Sequence, residues 1–200
     1  MNTVTVHTHP TGFPNDIYGS DSETINLFQP SVSVGEACDD LSKVTDPYTC
    51  TVTVTNTSSP DSPNLTFDSD PTKGLVDNLA GDLLRTLNAG YTLDSRTCLP
   101  ATSLAPGASC TVTYTHTVVP GDPDPIINTA SAWMHPVGFP NNIQGSDNWE
   151  VNIDHPDFSI VKQCTGNTAV PMGGTAIFDI TITNTGDVVI PANSITVKDP

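Results

Sequence analysis

Two hundred residues with 22 acidic and 6 basic side chains carry a formal net charge of −16, which excludes nucleic acid and anionic membrane surfaces as partners because both repel such a chain. Charged residues make up 14% of the chain against about 25% in ordinary domains, and Thr, Ser and Asn carry the polar faces instead, a composition that favours strands over helices. No apolar run approaches the ~18 residues of a membrane span, so direct membrane insertion is not expected. Met1 is followed by a strand pattern where a secretory signal would show a basic start and an apolar core, and the first residues read as a cut through a longer polypeptide.

From Asn2 to Val6 Thr and Val alternate, and a second alternating run spans Glu23 to Leu27 after a Gly/Pro/Asn loop at 10–21, which predicts a hairpin with a long tip. Pro30 punctuates the chain, and Ser31 to Gly35 opens another strand. Thr49 to Thr57 is the clearest strand, with Val52 and Val54 on one face and Thr51, Thr53 and Thr55 on the other. The Pro/Asp/Ser-rich stretch 58–74 reads as loop with one short strand at Leu65 to Phe67. Between Leu75 and Leu87 the leucines recur at a spacing nearer 3.6 than 2, so a short helix or helical turn is expected there, although Gly81 weakens it. Tyr91 to Thr97 and Ser109 to Val119 resume strand alternation. The expected core takes Val32, Val34, Val52, Val54, Val112, Tyr114, Ile127 and Trp133.

The stretch from Asn128 to Pro156 repeats Asn2 to Pro30 at an offset of 126 residues. His9-Pro10 matches His135-Pro136, Gly12-Phe13-Pro14-Asn15 matches Gly138-Phe139-Pro140-Asn141, Gly19-Ser20-Asp21 matches Gly145-Ser146-Asp147, and Cys38 falls on Cys164. TVTVTNT at 51–57 returns within ITITNT at 180–185, at offset 128. A period this long is that of a small domain rather than a solenoid. The predicted organisation is therefore the last strands of one module at 1–29, a complete module at 30–155, and the first strands of another at 156–200. Many short strands with turn signals every ~8–12 residues indicate an all-β chain of antiparallel β-sandwich modules.

The segments TVTVTNT, LAPGASCTVTYT, INTASAW, SIVKQCT and ITITNTGD, in this order, resemble the tandem Ig-like repeats of bacterial and archaeal surface proteins called domain of unknown function 11, the "conserved repeat domain". The resemblance covers the whole chain. It implies an extracellular structural module on a cell surface, arrayed head to tail into a stalk or filament, whose partners are neighbouring copies or adjacent modules of the same polypeptide. Lys162, Asp199 and the Asn that opens the repeated segment (Asn2, Asn128) also occupy places that resemble those of pilin-type sandwiches with an internal Lys–Asn isopeptide bond. In the complete module the twin of Lys162 is Glu36, so that bond cannot form there with Asn128.

Cys38, Cys50, Cys98 and Cys110 form two pairs, each with eleven residues between its members. Four cysteines permit three connectivities; the equal spacing suits local disulfides, with Cys164 left unpaired because Phe178 stands where its partner would be. No CxxC spacing suggests zinc. Calcium would need six to eight oxygens from a constellation such as DxDxDG, which is absent; no metal or cofactor is expected, calcium being the one ion the acidic loops leave open. Asn56-Thr57-Ser58 and Asn64-Leu65-Thr66 are glycosylation triplets. Without GxSxG, HExxH or a phosphate-binding loop, the chain does not read as an enzyme. The alternative to a structural role is adhesion, with a glycan or partner protein held at end loops; the repeated HPxGFPN loop, carrying His9, Phe13, His135 and Phe139, is the candidate contact surface and suits a module-to-module contact.

Overall fold

A computed structural model describes residues 1–199, and its regular secondary structure is almost entirely strand. The strands are β1 (Asn2–Thr8), β2 (Ile17–Glu23), β3 (Val32–Cys38), β4 (Leu41–Lys43), β5 (Pro47–Asn56), β6 (Leu65–Phe67), β7 (Leu75–Asp77), β8 (Gly81–Asp82), β9 (Tyr91–Arg96), β10 (Ser103–Leu104), β11 (Ser109–Thr117), β12 (Ile126–Pro136), β13 (Ile143–Asp154), β14 (Phe158–Cys164) and β15 (Phe178–Asn184). Among the described residues the one helical element is a 3₁₀ turn at Ala192–Ser194.

Two sheets enclose the core. One has the order β3-β5-β11-β9; the other runs β10-β6-β12-β13-β4, with β7 on β12 and β8 on β7. Pairing is antiparallel except between β13 and β4, which run parallel (Asn152↔Leu41), a departure from the all-antiparallel expectation. β5 shows why alternation specifies a half-buried strand: Tyr48, Cys50, Val52 and Val54 point inward and are fully buried. Its outward threonines pair across to β11, Thr49 with Thr115, Thr51 with Thr113 and Thr55 with Ser109, hydroxyl to hydroxyl at 2.8–3.3 Å.

Three further expectations are corrected. Residues 75–87 form no helix. Asp77 Oδ1 accepts the N–H groups of Leu79 and Ala80, and Gly81 sits at φ +83°, so the chain turns instead of continuing a helical ladder. The leucines still bury: Leu75, Leu83 and Leu84 are core residues. The phase of β12 is the reverse of that expected. Ile126, Asn128, Ala130, Ala132 and Met134 face the core, while Ile127 is 45% exposed and Trp133 lies half-buried on the outer face. A one-residue shift of phase flips every side chain of a strand, and here the small alanines and one buried amide take the crowded inner side. Finally, the strand that closes the first hairpin is Ile17–Glu23 rather than 23–27.

The two ends of the chain are separate two-stranded sheets, β1-β2 and β14-β15. Their registers reproduce those inside the main body. Asn2↔Glu23, Val4↔Asp21 and Val6↔Gly19 repeat Asn128↔Trp149, Ala130↔Asp147 and Ala132↔Gly145. Phe158↔Asn184, Ile160↔Ile182 and Cys164↔Phe178 repeat Val32↔Asn56, Val34↔Val54 and Cys38↔Cys50. Unlike their counterparts, nearly all these end residues are exposed.

Candidate functional site

The most unusual chemistry lies inside the sandwich, where four polar side chains meet between the sheets. Glu36 comes from β3, Asp77 from the end of β7, Tyr114 from β11 and Asn128 from β12; Tyr114 and Asn128 are fully buried and the two carboxyls are 2–3% exposed. Asn128 Nδ2 donates to Glu36 Oε1 at 2.8 Å and to Tyr114 Oη at 2.6 Å. The Ala130 N–H donates to Glu36 Oε2 at 2.9 Å. Tyr114 Oη lies 2.8 Å from Asp77 Oδ2 and 3.2 Å from Glu36 Oε1.

Two carboxyls this close in a dry core cannot both ionise. Burial first, and the charge of Asp77 second, push Glu36 up to about 8. The geometry accommodates a proton on Glu36: Tyr114 gives its hydrogen to the nearer Asp77, and a protonated Glu36 can donate to the tyrosine oxygen. Burial and the same two carboxyls push the Tyr114 hydroxyl up as well. One polar atom is left over, because Asn128 Oδ1 is buried without a partner, a costly arrangement in a core. The cluster is closed to solvent, and its hydrogen bonds tie β3, β7, β11 and β12 together.

Beside it, Cys38 is bonded to Cys50 across the β3-β5 ladder, and Asn128 Nδ2 lies 3.4 Å from Cys50 Sγ. Cys98 is bonded to Cys110. Disulfides of this kind form and persist in oxidising, extracellular surroundings. No helix among the described residues is long and apolar enough to cross a membrane. Among the described residues one group of three metal-type donors converges, Glu36 with Cys38 and Cys50, and the disulfide has consumed both thiols. Cys164 is unbonded and half-buried, 3.8 Å from the carbonyl oxygens of Gly166 and Asn167.

Lys162 and Asp199 are brought together, Nζ lying 2.7 and 2.8 Å from the two carboxylate oxygens and 4.5 Å from the centre of the Phe178 ring. Both are about half exposed. The amides Asn2 and Asn128 do not join them: Asn2 is on exposed β1, and Asn128 is held by Glu36. In the two HPxGFPN loops, His9 Nδ1 is 2.8 Å from Asp16 Oδ1, and Phe13 is 67% exposed. His135 is half-buried on β12, and Phe139 packs edge-on against Phe28 of the connector, with ring centres 5.0 Å apart. Of the glycosylation triplets, Asn56 is ill suited, since it is fully buried and its Nδ2 donates to the Leu104 carbonyl at 2.7 Å; Asn64 is exposed.

Sequence reasoning missed the roles of Glu36, Asp77 and Tyr114 as a cluster. The signal was present in Glu36, a charged residue at an inward position of a strand that begins Val32 and Val34. It also missed His116, whose Nδ1 is 2.9 Å from the Gly90 carbonyl and Nε2 3.0 Å from Asp122 Oδ2, with its ring stacked on Tyr91.

No protein-family model matches the chain, and no curated protein matches it. Among solved structures, the native conformation of E. coli alpha-2-macroglobulin is similar over 86% of this chain and 10% of its own, at 14% identity and a TM-score of 0.35. This chain thus spans about a tenth of that structure's length.

Proposed function

We propose that this chain is a structural extracellular repeat, an Ig-like β-sandwich flanked by parts of like modules, which works in a head-to-tail array as a stalk or filament on a cell surface. The observation that carries the reading is the double occurrence of one hairpin. Its Asn128, Ala130, Ala132 and Met134 side is buried against the rest of the sandwich, whereas the matching Asn2, Val4, Val6 and Thr8 side is open. Strands with an unused apolar side and free edges associate when they can. The sandwich body spends its polar chemistry on internal ties, and its disulfides suit an oxidising exterior. The resemblance to the "conserved repeat domain" of surface proteins points the same way.

The test is the native polypeptide. Its mass, taken from its source by gel filtration and mass spectrometry, is expected to be several times 21.1 kDa, with the protein labelled by membrane-impermeant reagents on intact cells. Native chains of 21.1 kDa that stay inside the cell would defeat the reading.

One observation favours adhesion as a second role, the two-thirds exposed Phe13 at a loop tip. Binding of the full chain to a glycan array, lost in Phe13→Ala, would establish it.

A further inference from the structure

The chain carries both halves of one interface. In the sandwich, β13 crosses β3 so closely that a Cβ placed on Gly145 would stand 2.9 Å from the Val32 carbonyl oxygen and 3.4 Å from the Val34 backbone N. Two positions on, Asp147 Oδ2 accepts the Glu36 N–H at 2.9 Å. A Cβ on Gly145 would also meet Val34 Cγ2 at 3.4 Å, but the closest approach there, and the Asp147 hydrogen bond, are made to backbone. The residues that make them from β13 recur in β2 as Gly19 and Asp21, in the same register against β1, yet nothing lies within 4 Å of a Cβ built on Gly19. The strand that receives them recurs as β14, with Phe158, Ile160 and Lys162 at the places of Val32, Val34 and Glu36. Phe158, Ile160 and Ile182, the counterparts of inward-facing Val32, Val34 and Val54, line an open groove of about 650 Å³ together with Ile190, Ile195 and Val197.

We propose that the β1-β2 hairpin of a second copy docks on β14 in the register that β12-β13 takes on β3. Gly19 then lies against the backbone of Phe158–Ile160, Asp21 accepts the Lys162 N–H, and Val4 and Val6 cover part of the groove. Charge favours this occupant. Where the sandwich opposes Asp147 to Glu36, the docked pair opposes Asp21 to Lys162, whose ammonium already pairs with Asp199 and would face a second carboxylate rather than a like charge. The contact is heterologous, so each docked copy leaves one free hairpin at either end and association is open-ended. The docking rests on the array reading above and names the surfaces by which such an array would join.

The test uses the full chain in sedimentation velocity from micromolar to several hundred micromolar. The expected result is a ladder of oligomers that grows with concentration. Gly19→Leu, at a position where a Cβ meets nothing within 4 Å in its own chain, and Asp21→Lys are each expected to weaken association at least tenfold while leaving the unfolding midpoint of the sandwich unchanged. In a Cys164→Ser background, Asp21→Cys mixed with Lys162→Cys and oxidised by dissolved oxygen is expected to give an intermolecular disulfide between those positions by peptide mapping. A chain that stays monomeric throughout, or associates equally well as Gly19→Leu, overturns the docking. The array reading would survive that result, because it is decided separately by the mass of the native polypeptide.

Discussion

The hairpins β12-β13 and β1-β2 have kindred sequences and the same register, and yet one is core and the other is surface. Asn128 is fully buried and holds Glu36 and Tyr114; Asn2 faces solvent. A Cβ added to Gly145 would meet the β3 backbone, whereas one added to Gly19 would meet nothing within 4 Å. Local sequence therefore sets how these strands pair, and the opposing sheet decides what they bury. The role of a side chain here is a property of its neighbours, which is why identical residues should respond to mutation in opposite ways.

The largest contrast should come from reductant. Both disulfides lie between residues 38 and 110, each closing a separation of 12 residues, and loops of this length contribute about 3 kcal/mol each. Urea titration with and without reductant should show the sandwich losing most of that sum, with no change assignable to either end hairpin, neither of which contains a disulfide.

Acidity gives the next effect, and its sign is the reverse of ordinary acid denaturation. Native Glu36 keeps its proton to about pH 8, whereas an unfolded glutamate releases it near 4.5. Between those values the native state binds more protons, so stability falls as pH rises through the window and is fully present below it. Each tenfold change in proton affinity is worth about 1.4 kcal/mol, and a change of about 2–4 kcal/mol is expected across the window. Glu36→Gln should flatten the slope measured by chemical denaturation at pH 5 and pH 8.

Asn128→Ala leaves Glu36 Oε1 and Tyr114 without their donor and should cost about 2 kcal/mol, while Asn2→Ala should fall within about 0.5 kcal/mol of wild type. The smallest contrast is steric. Gly145→Ala forces a methyl against the Val32 carbonyl and should cost about 1–2 kcal/mol; Gly19→Ala in the same assay should leave the midpoint where it is.

Much of this architecture was legible in the residues. Alternation located β5, β6, β9 and β11, and cysteine spacing suited the two local bridges, because strand period and loop length are local quantities. What was not legible depended on the far side of the sandwich. In β12 both faces carry large apolar residues, Ile127 and Trp133 on one and Ile126 and Met134 on the other, so alternation alone does not choose the inward face. At 75–87 the leucine spacing mimicked a helix, while Asp77 closed a turn with the backbone. Glu36 could be aligned with Lys162, but its partners Asp77 and Tyr114 stand 41 and 78 positions away, and no periodicity links them.

The Cys38–Cys50 bond has a mechanical meaning for a chain pulled from its ends. Tension entering at Ser31 can unzip the β3-β5 ladder from Val32↔Asn56 only as far as Cys38↔Cys50, where the sulfur bridge hands the load directly to β5. The intervening loop never enters the force path. With the Cys98–Cys110 bridge acting likewise, two spans of 12 residues are withheld, roughly 80 Å of contour at about 3.4 Å per residue. A fibre of such units would be shorter at full stretch, and stiffer against tearing, than its residue count implies.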